Sequence, residues 1–93
     1  MKFIWNEEKN KINIEKHNIR FENAIEVWKD RLSFDFYDDI HSSLEEDRWF
    51  KFGKMYSGKI IRVVYTELPN EIIRIITAYS SQIIERIYNE QNE

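Results

Sequence analysis

His41 is the first side chain to consider for chemistry, within the stretch DDIHSSLEEDRWFKFGK that spans residues 38–54. An unperturbed imidazole changes charge near neutral pH, so it can take or give a proton under cellular conditions. Two serines follow it, then Glu45, Glu46 and Asp47, then Arg48 and a tryptophan. A carboxylate in this run can act as a base or orient the imidazole; the plain alternative is a solvated loop. The second histidine, His17, lies in EKHNI near an expected helix end, where a cation complements the helix dipole. The two histidines do not form an HExxH-like ligand pair and cysteine is absent. Neither a metal site nor a disulfide framework is expected.

The arginines carry more information. Arg62 lies inside IIRVVYT and Arg74 inside EIIRIITA, both among aliphatic residues. A charge in mid-strand needs a wet face or a partner. By period-two alternation Arg62 shares a side with Val64 and Thr66, and Arg74 with Ile72 and Ile76. The other side holds Ile61, Val63, Tyr65, Ile73 and Ile75, apolar but for one phenol. The expectation is a sheet with helices on one face and a partly open, arginine-bearing second face. Guanidinium groups there match phosphate geometry; the competing reading pairs Arg74 with a carboxylate near Glu46. Tyr65 and Tyr79 flank the arginines and can stack on bases of single-stranded nucleic acid, or simply pack.

Charge is distributed in blocks. The net charge of −3 argues against binding a polyanion over the whole surface. Yet residues 30–47 hold seven acids and one base, whereas residues 48–66 hold Arg48, Lys51, Lys54, Lys59 and Arg62 with no acid. That pattern can give a polar molecule one phosphate-binding face. Two glycines and one proline leave no P-loop or dinucleotide fingerprint.

The elements that must position these residues fit one domain of 93 residues. KFIW opens as a strand. Asn6 caps a helix that starts with Glu7 and Glu8 and ends near His17, with Asn18 suited to a left-handed turn. Phe21, Ala24, Ile25 and Trp28 recur at helical spacing, and LSFDFYDD alternates as a strand. RWFKFGKMYSGKIIRVVYTE reads as a hairpin turning at Gly58, and EIIRIITAY as a central strand after a turn at Leu68, Pro69 and Asn70. A helix follows from about Ser80. The predicted order is β-α-α-β-β-β-β-α: an α+β domain with an antiparallel twisted sheet and helices mainly on one face. The opening MKFIWNEEKN has no apolar h-region and no apolar run approaches membrane-spanning length, so a cytoplasmic, membrane-free location is expected.

Taken in order, the blocks FIWNEEKNKINIEKHNIRFENAIEVW, DIHSS, EDRW, FGK, VVYTE and IRIITA resemble the BrnT family of toxins from bacterial type II toxin–antitoxin systems. The resemblance covers nearly the whole chain. Two positions depart: Asn18 stands where the family usually has Gly, and Tyr79 where an arginine is common. The resemblance implies a RelE-like ribonuclease toxin fold and RNA cleavage that halts translation. It also implies a hetero-oligomer with a ribbon-helix-helix (BrnA-like) antitoxin, through which operator DNA would be met only indirectly.

Metal-independent, cofactor-free cleavage by the ribose 2′-OH needs a base, cationic stabilisation and an acid, and yields a 2′,3′-cyclic phosphate. The expected catalytic group comprises His41 as acid or base, Glu46 as the competing base, Arg48 and Arg74 on the phosphate, and Tyr79 to position or protonate. Lys51, Lys54, Lys59, Arg62 and Tyr65 are expected to bind RNA. The alternative is a non-catalytic or degenerate toxin-fold protein that serves as a binding or regulatory partner of a DNA-binding antitoxin.

Overall fold

The computed structural model describes residues 1–93. Strand β1 (Lys2–Trp5) leads into helix α1 (Glu7–His17), then α2 (Phe21–Ala24), which continues as a 3-10 turn over Ile25–Lys29. Strands β2 (Phe34–Tyr37), β3 (Arg48–Lys54), β4 (Ile60–Leu68) and β5 (Ile72–Tyr79) follow, and helix α3 (Gln82–Gln91) closes the chain. The α+β class and the predicted order both hold.

The sheet order is β1-β5-β4-β3-β2. β2 to β5 form an antiparallel meander, as the alternation predicts, but β1 lies parallel to β5, so the sheet is mixed. The reason is the path of the chain. β1 starts one edge, α1 and α2 cross a face to the other edge, and the meander walks back until β5 meets β1.

Local signals set the helix ends. The Asn6 side chain accepts from the Lys9 N–H, and Asn18 takes the left-handed conformation at φ 55°. The β3–β4 turn uses Gly58 at φ 94°, a value that suits a residue without Cβ. Gly53 serves a different need. A Cβ there would stand 2.6 Å from Cβ of Val27, so glycine lets the 3-10 turn lie directly on β3.

The main core joins the α2 segment to one sheet face. Phe21, Ala24 and Val27 pack with Ile61, Val63, Tyr65, Ile73, Ile75 and Ala78, all buried. Helix α1 has no such apolar face; its buried residues are Asn10 and Asn13. Asn13 Nδ2 donates to the carbonyls of Ala78 (2.8 Å) and Ile19 (2.9 Å), while Oδ1 accepts from the Ala78 N–H and the Thr77 hydroxyl (both 3.1 Å). Asn10 accepts from the Phe21 N–H and donates to Glu22. A polar helix is thus held by side chains that complete backbone pairing at the end of β5.

Helix α3 packs on the opposite face, where Ile84, Ile87 and Tyr88 meet Phe34, Phe50, Phe52, Ile60 and Tyr79. Helices are therefore not confined to one face, and only part of the second face remains open. Tyr88 Oη donates to Asp30 (2.7 Å), which also accepts from the Lys54 and Leu32 N–H groups. Burial pushes the Asp30 carboxyl up, but the hydrogen bonds from Tyr88, Leu32 and Lys54 and the Lys54 charge hold it below the ordinary value. Burial and the same carboxylate push the Tyr88 phenol up to about 12.

Two outcomes follow from this packing. Asn13→Ala strands buried backbone groups and should cost about 2–4 kcal/mol, lowering Tm by roughly 10 °C or more; a thermal melt shifted by only a degree or two would refute the pinning role. Because its native pKa is depressed, Asp30 stabilises the fold fully above the unfolded carboxylate value, and that contribution fades as pH falls through the native one. Asp30→Asn should therefore have a flatter acid limb in urea midpoints measured against pH. Equal acid sensitivity in both proteins would exclude Asp30 as a source.

Candidate active site

The connection after β2 is a folded turn built on Asp38. Continuing the alternation of Phe34 and Phe36, Asp38 turns to the second face and is almost fully buried, at 4% exposure. Its N–H donates to the Arg48 carbonyl (2.8 Å), and its carbonyl accepts from the Ser42 N–H (3.0 Å). The Ser42 hydroxyl then accepts from the Arg48 N–H (2.9 Å), and Ser43 Oγ accepts from the N–H groups of Glu45 and Glu46. The two serines bend the chain; neither hydroxyl is placed as a nucleophile.

This turn presents His41. Its Nδ1 lies 2.9 Å from Asp38 Oδ2, while its side chain is 62% exposed. A carboxylate accepting from Nδ1–H fixes the tautomer and leaves Nε2 with its lone pair directed to solvent. That is the arrangement of an oriented general base.

Three arginines stand on the same face. Arg48 and Arg74 both flank Thr66 across the sheet, in one row. Glu46 lies between them: Oε1 accepts from Arg74 Nη2 at 2.7 Å, and Oε2 is 3.9 Å from Arg48 Nη2. The carboxylate partner weighed for Arg74 is thus present. Glu46 spends one oxygen on Arg74 and points the other toward Arg48.

Arg62 differs from both. Its guanidinium is sandwiched between the rings of Phe50 (4.3 Å) and Tyr79 (4.6 Å), and no carboxylate approaches it within 4.0 Å. Its Nε is buried without a hydrogen-bond partner, as is Nε of Arg48. Burial pushes the Arg62 pKa down, and the nearby Asp38 charge pushes it up. Arginine keeps its charge even so. The result is a half-buried cation with unused donors, held rigidly between two aromatic faces.

The remaining expected residues separate clearly. Tyr79 forms one wall of the Arg62 sandwich, and the His17 ring lies 5.4 Å from it on α1. Lys51 is buried on the α2 side, paired with Asp35 at 3.0 Å and lying over Trp28. Tyr65 is also on that side, in the core against Trp28, and its phenol is raised by burial. Neither reaches the second face. Lys54 sits beyond α3 over Tyr88, and Lys59 lies in the β3–β4 turn; both are exposed, at the sheet end away from Arg48. His41, Glu46, Arg48, Arg62, Arg74 and Tyr79 remain along one face. Asp38 and His17 were missed. The three-residue step from Asp38 to His41 was a readable signal for the first, whereas the approach of α1 to Tyr79 is a tertiary fact.

A family model described as "Ribonuclease toxin, BrnT, of type II toxin-antitoxin system" matches residues 5–85. The chain belongs to the BrnT family. Among solved structures, the crystal structure of the Brucella abortus ribonuclease toxin BrnT is similar with a TM-score of 0.70 and 25% identity, covering 88% of this chain and 97% of that one. No curated protein matches the sequence. The BrnT-family chain is thus a ribonuclease toxin of a type II system, a class that implies a cognate antitoxin. No helix is long and apolar enough to cross a membrane.

The unpaired Arg62 makes a prediction about stability. A desolvated charge without a partner is a cost to the fold, so Arg62→Met should keep the aromatic sandwich filled and leave stability equal or higher, by up to about 1–2 kcal/mol. Denaturant unfolding measures this directly, and a clear loss of stability would make Arg62 a structural residue.

Proposed function

We propose that this toxin cleaves single-stranded RNA in the cytoplasm without a metal, by attack of a ribose 2′-OH on the adjacent phosphorus. His41 Nε2 takes the 2′-OH proton, with Asp38 orienting the ring and stabilising the imidazolium that forms. The 2′-oxygen–phosphorus bond forms as the bond to the 5′-oxygen breaks, giving a 2′,3′-cyclic phosphate. Arg62 and Arg48 donate to the non-bridging oxygens, where negative charge develops. Tyr79 protonates or positions the leaving oxygen. Arg74 adds positive potential at the rim, while Glu46 fixes the spacing of Arg48 and Arg74 rather than acting as the base. Lys54 and Lys59 are left to contact more distant backbone phosphates.

The observation that carries this reading is Arg62, a rigid cation with unused donors on the face that also presents an Asp-oriented imidazole. A phosphate is the ligand such a group suits. A ribbon-helix-helix antitoxin is the proposed partner, neutralising the toxin in a hetero-oligomer.

Purified protein should cut unstructured RNA to products ending in a cyclic phosphate. Arg62→Met and His41→Ala should each lower kcat/KM by about 10²-fold or more while the fold persists. A single 2′-deoxy sugar at the scissile position should block cutting there; cleavage of that substrate would rule out 2′-OH attack. If induced wild-type protein neither arrests growth nor shortens transcripts, the regulatory alternative is favoured instead.

A further inference from the structure

Beside Tyr79, between α1 and β5, runs a groove of about 250 Å³ lined by Lys9, Ile12, Asn13, Lys16, His17 and Thr77, among others. Lys9, Ile12, Asn13 and Lys16 follow the i, i+3, i+4, i+7 stripe, so they occupy one face of α1. Asn13 lies at the floor, bonded to Thr77 and Ala78, and thereby fixes the helix against the strand. The two lysines project at either end of the stripe, about 10 Å apart along the helix. No carboxylate lines the groove, and neither lysine has one within 4.0 Å. In a chain with net charge −3 this is a locally positive, unneutralised channel.

The groove reaches the site through His17. His17 forms its end and leans on Tyr79 at 34° between ring planes; Tyr79 in turn faces Arg62, which faces Phe50. Four planar groups therefore run from the groove to the centre of the second face. Such a series can stack bases, while the lysines meet phosphates.

We propose that the α1–β5 groove is a second RNA subsite. It holds the strand on one side of the scissile phosphate, with Lys9 and Lys16 on two separate backbone phosphates and His17 stacking against a base beside Tyr79. This rests on the proposed ribonuclease reading for the direction of the strand, but its electrostatic basis lies in α1 and β5 alone. RNA is favoured over a protein occupant because the lining offers two spaced lysines and the His17 ring over the Asn13 amide, with Ile12 and Ile76 its only apolar members.

Binding of fluorescein-labelled, fully 2′-O-methylated oligonucleotides of four and ten nucleotides, followed by anisotropy, tests the subsite without cleavage. In the wild type the ten-mer should bind at least tenfold more tightly than the four-mer. The Lys9→Gln/Lys16→Gln variant should lose most of that advantage, and its slope of log affinity against log salt should fall by about 1.4. Four-mer binding should be unchanged, and His17→Ala should weaken the ten-mer alone. A length advantage that survives in the double variant overturns the subsite, as does wild-type protein that binds neither oligonucleotide. Cleavage of unmodified ten-mer, run in parallel, separates the two ideas. Cutting with a silent groove refutes only the subsite, and groove-dependent binding without cutting refutes only the ribonuclease mechanism.

Discussion

The Tyr79 end of the second face depends on how Asn13 holds α1 against β5. A helix with no hydrophobic stripe gains little from lying on a sheet, and α1 would drift if packing alone were asked to fix it. Asn13 solves this by behaving as a short piece of strand. Its amide pairs with the N–H and C=O of Ala78 where β1 has already ended, and its second donor bond reaches Ile19 on the far side of the helix turn. One buried amide thereby sets the helix, the turn into α2 and the last residues of β5 in a single frame. Tyr79 and His17 take their places from it.

The charges of the second face divide between two opposing demands. Glu46 neutralises Arg74 and approaches Arg48, which stabilises the 38–47 turn and limits the attraction of those arginines for an anion. Arg62 is given no such partner. Phe50 and Tyr79 hold its plane, and Asp38 contributes attraction from a distance while spending its own oxygens on His41. Tyr79 forms one of the two aromatic walls that orient this guanidinium. One arginine of this face is thus neutralised by a carboxylate while another is left without one.

Strand alternation made much of this legible. Arg62 and Arg74 lie opposite Ile61, Val63, Ile73 and Ile75, as alternation requires, because a period of two is a local property of the backbone. The same reasoning placed Tyr65 with the apolar set, and the core confirms it. Lys51 shows the limit. Its charge grouped it with the basic segment, but its parity puts it on the α2 side, where Asp35 and Trp28 receive it. Parity was the better guide than composition. The position of α3 was not legible, because an amphipathic helix states that it must bury a face but not which face of the sheet it will use. Nor was the parallel β1–β5 pairing, since strand direction depends on the route of the intervening chain.

That parallel pairing also governs when the molecule can assemble. Lys2 pairs with Ile72, seventy positions later, so the first strand waits until the last strand exists. Long-range pairing of this kind pays its loop-closure entropy before any contact repays it, and it slows folding relative to the local β3–β4 hairpin. During synthesis, the turn carrying Asp38 and His41 leaves the ribosome well before Tyr79 does. A growing chain therefore holds Asp38 and His41 without the wall that orients Arg62. Topology alone leaves the second face incomplete until the last strand has been made and the sheet has closed.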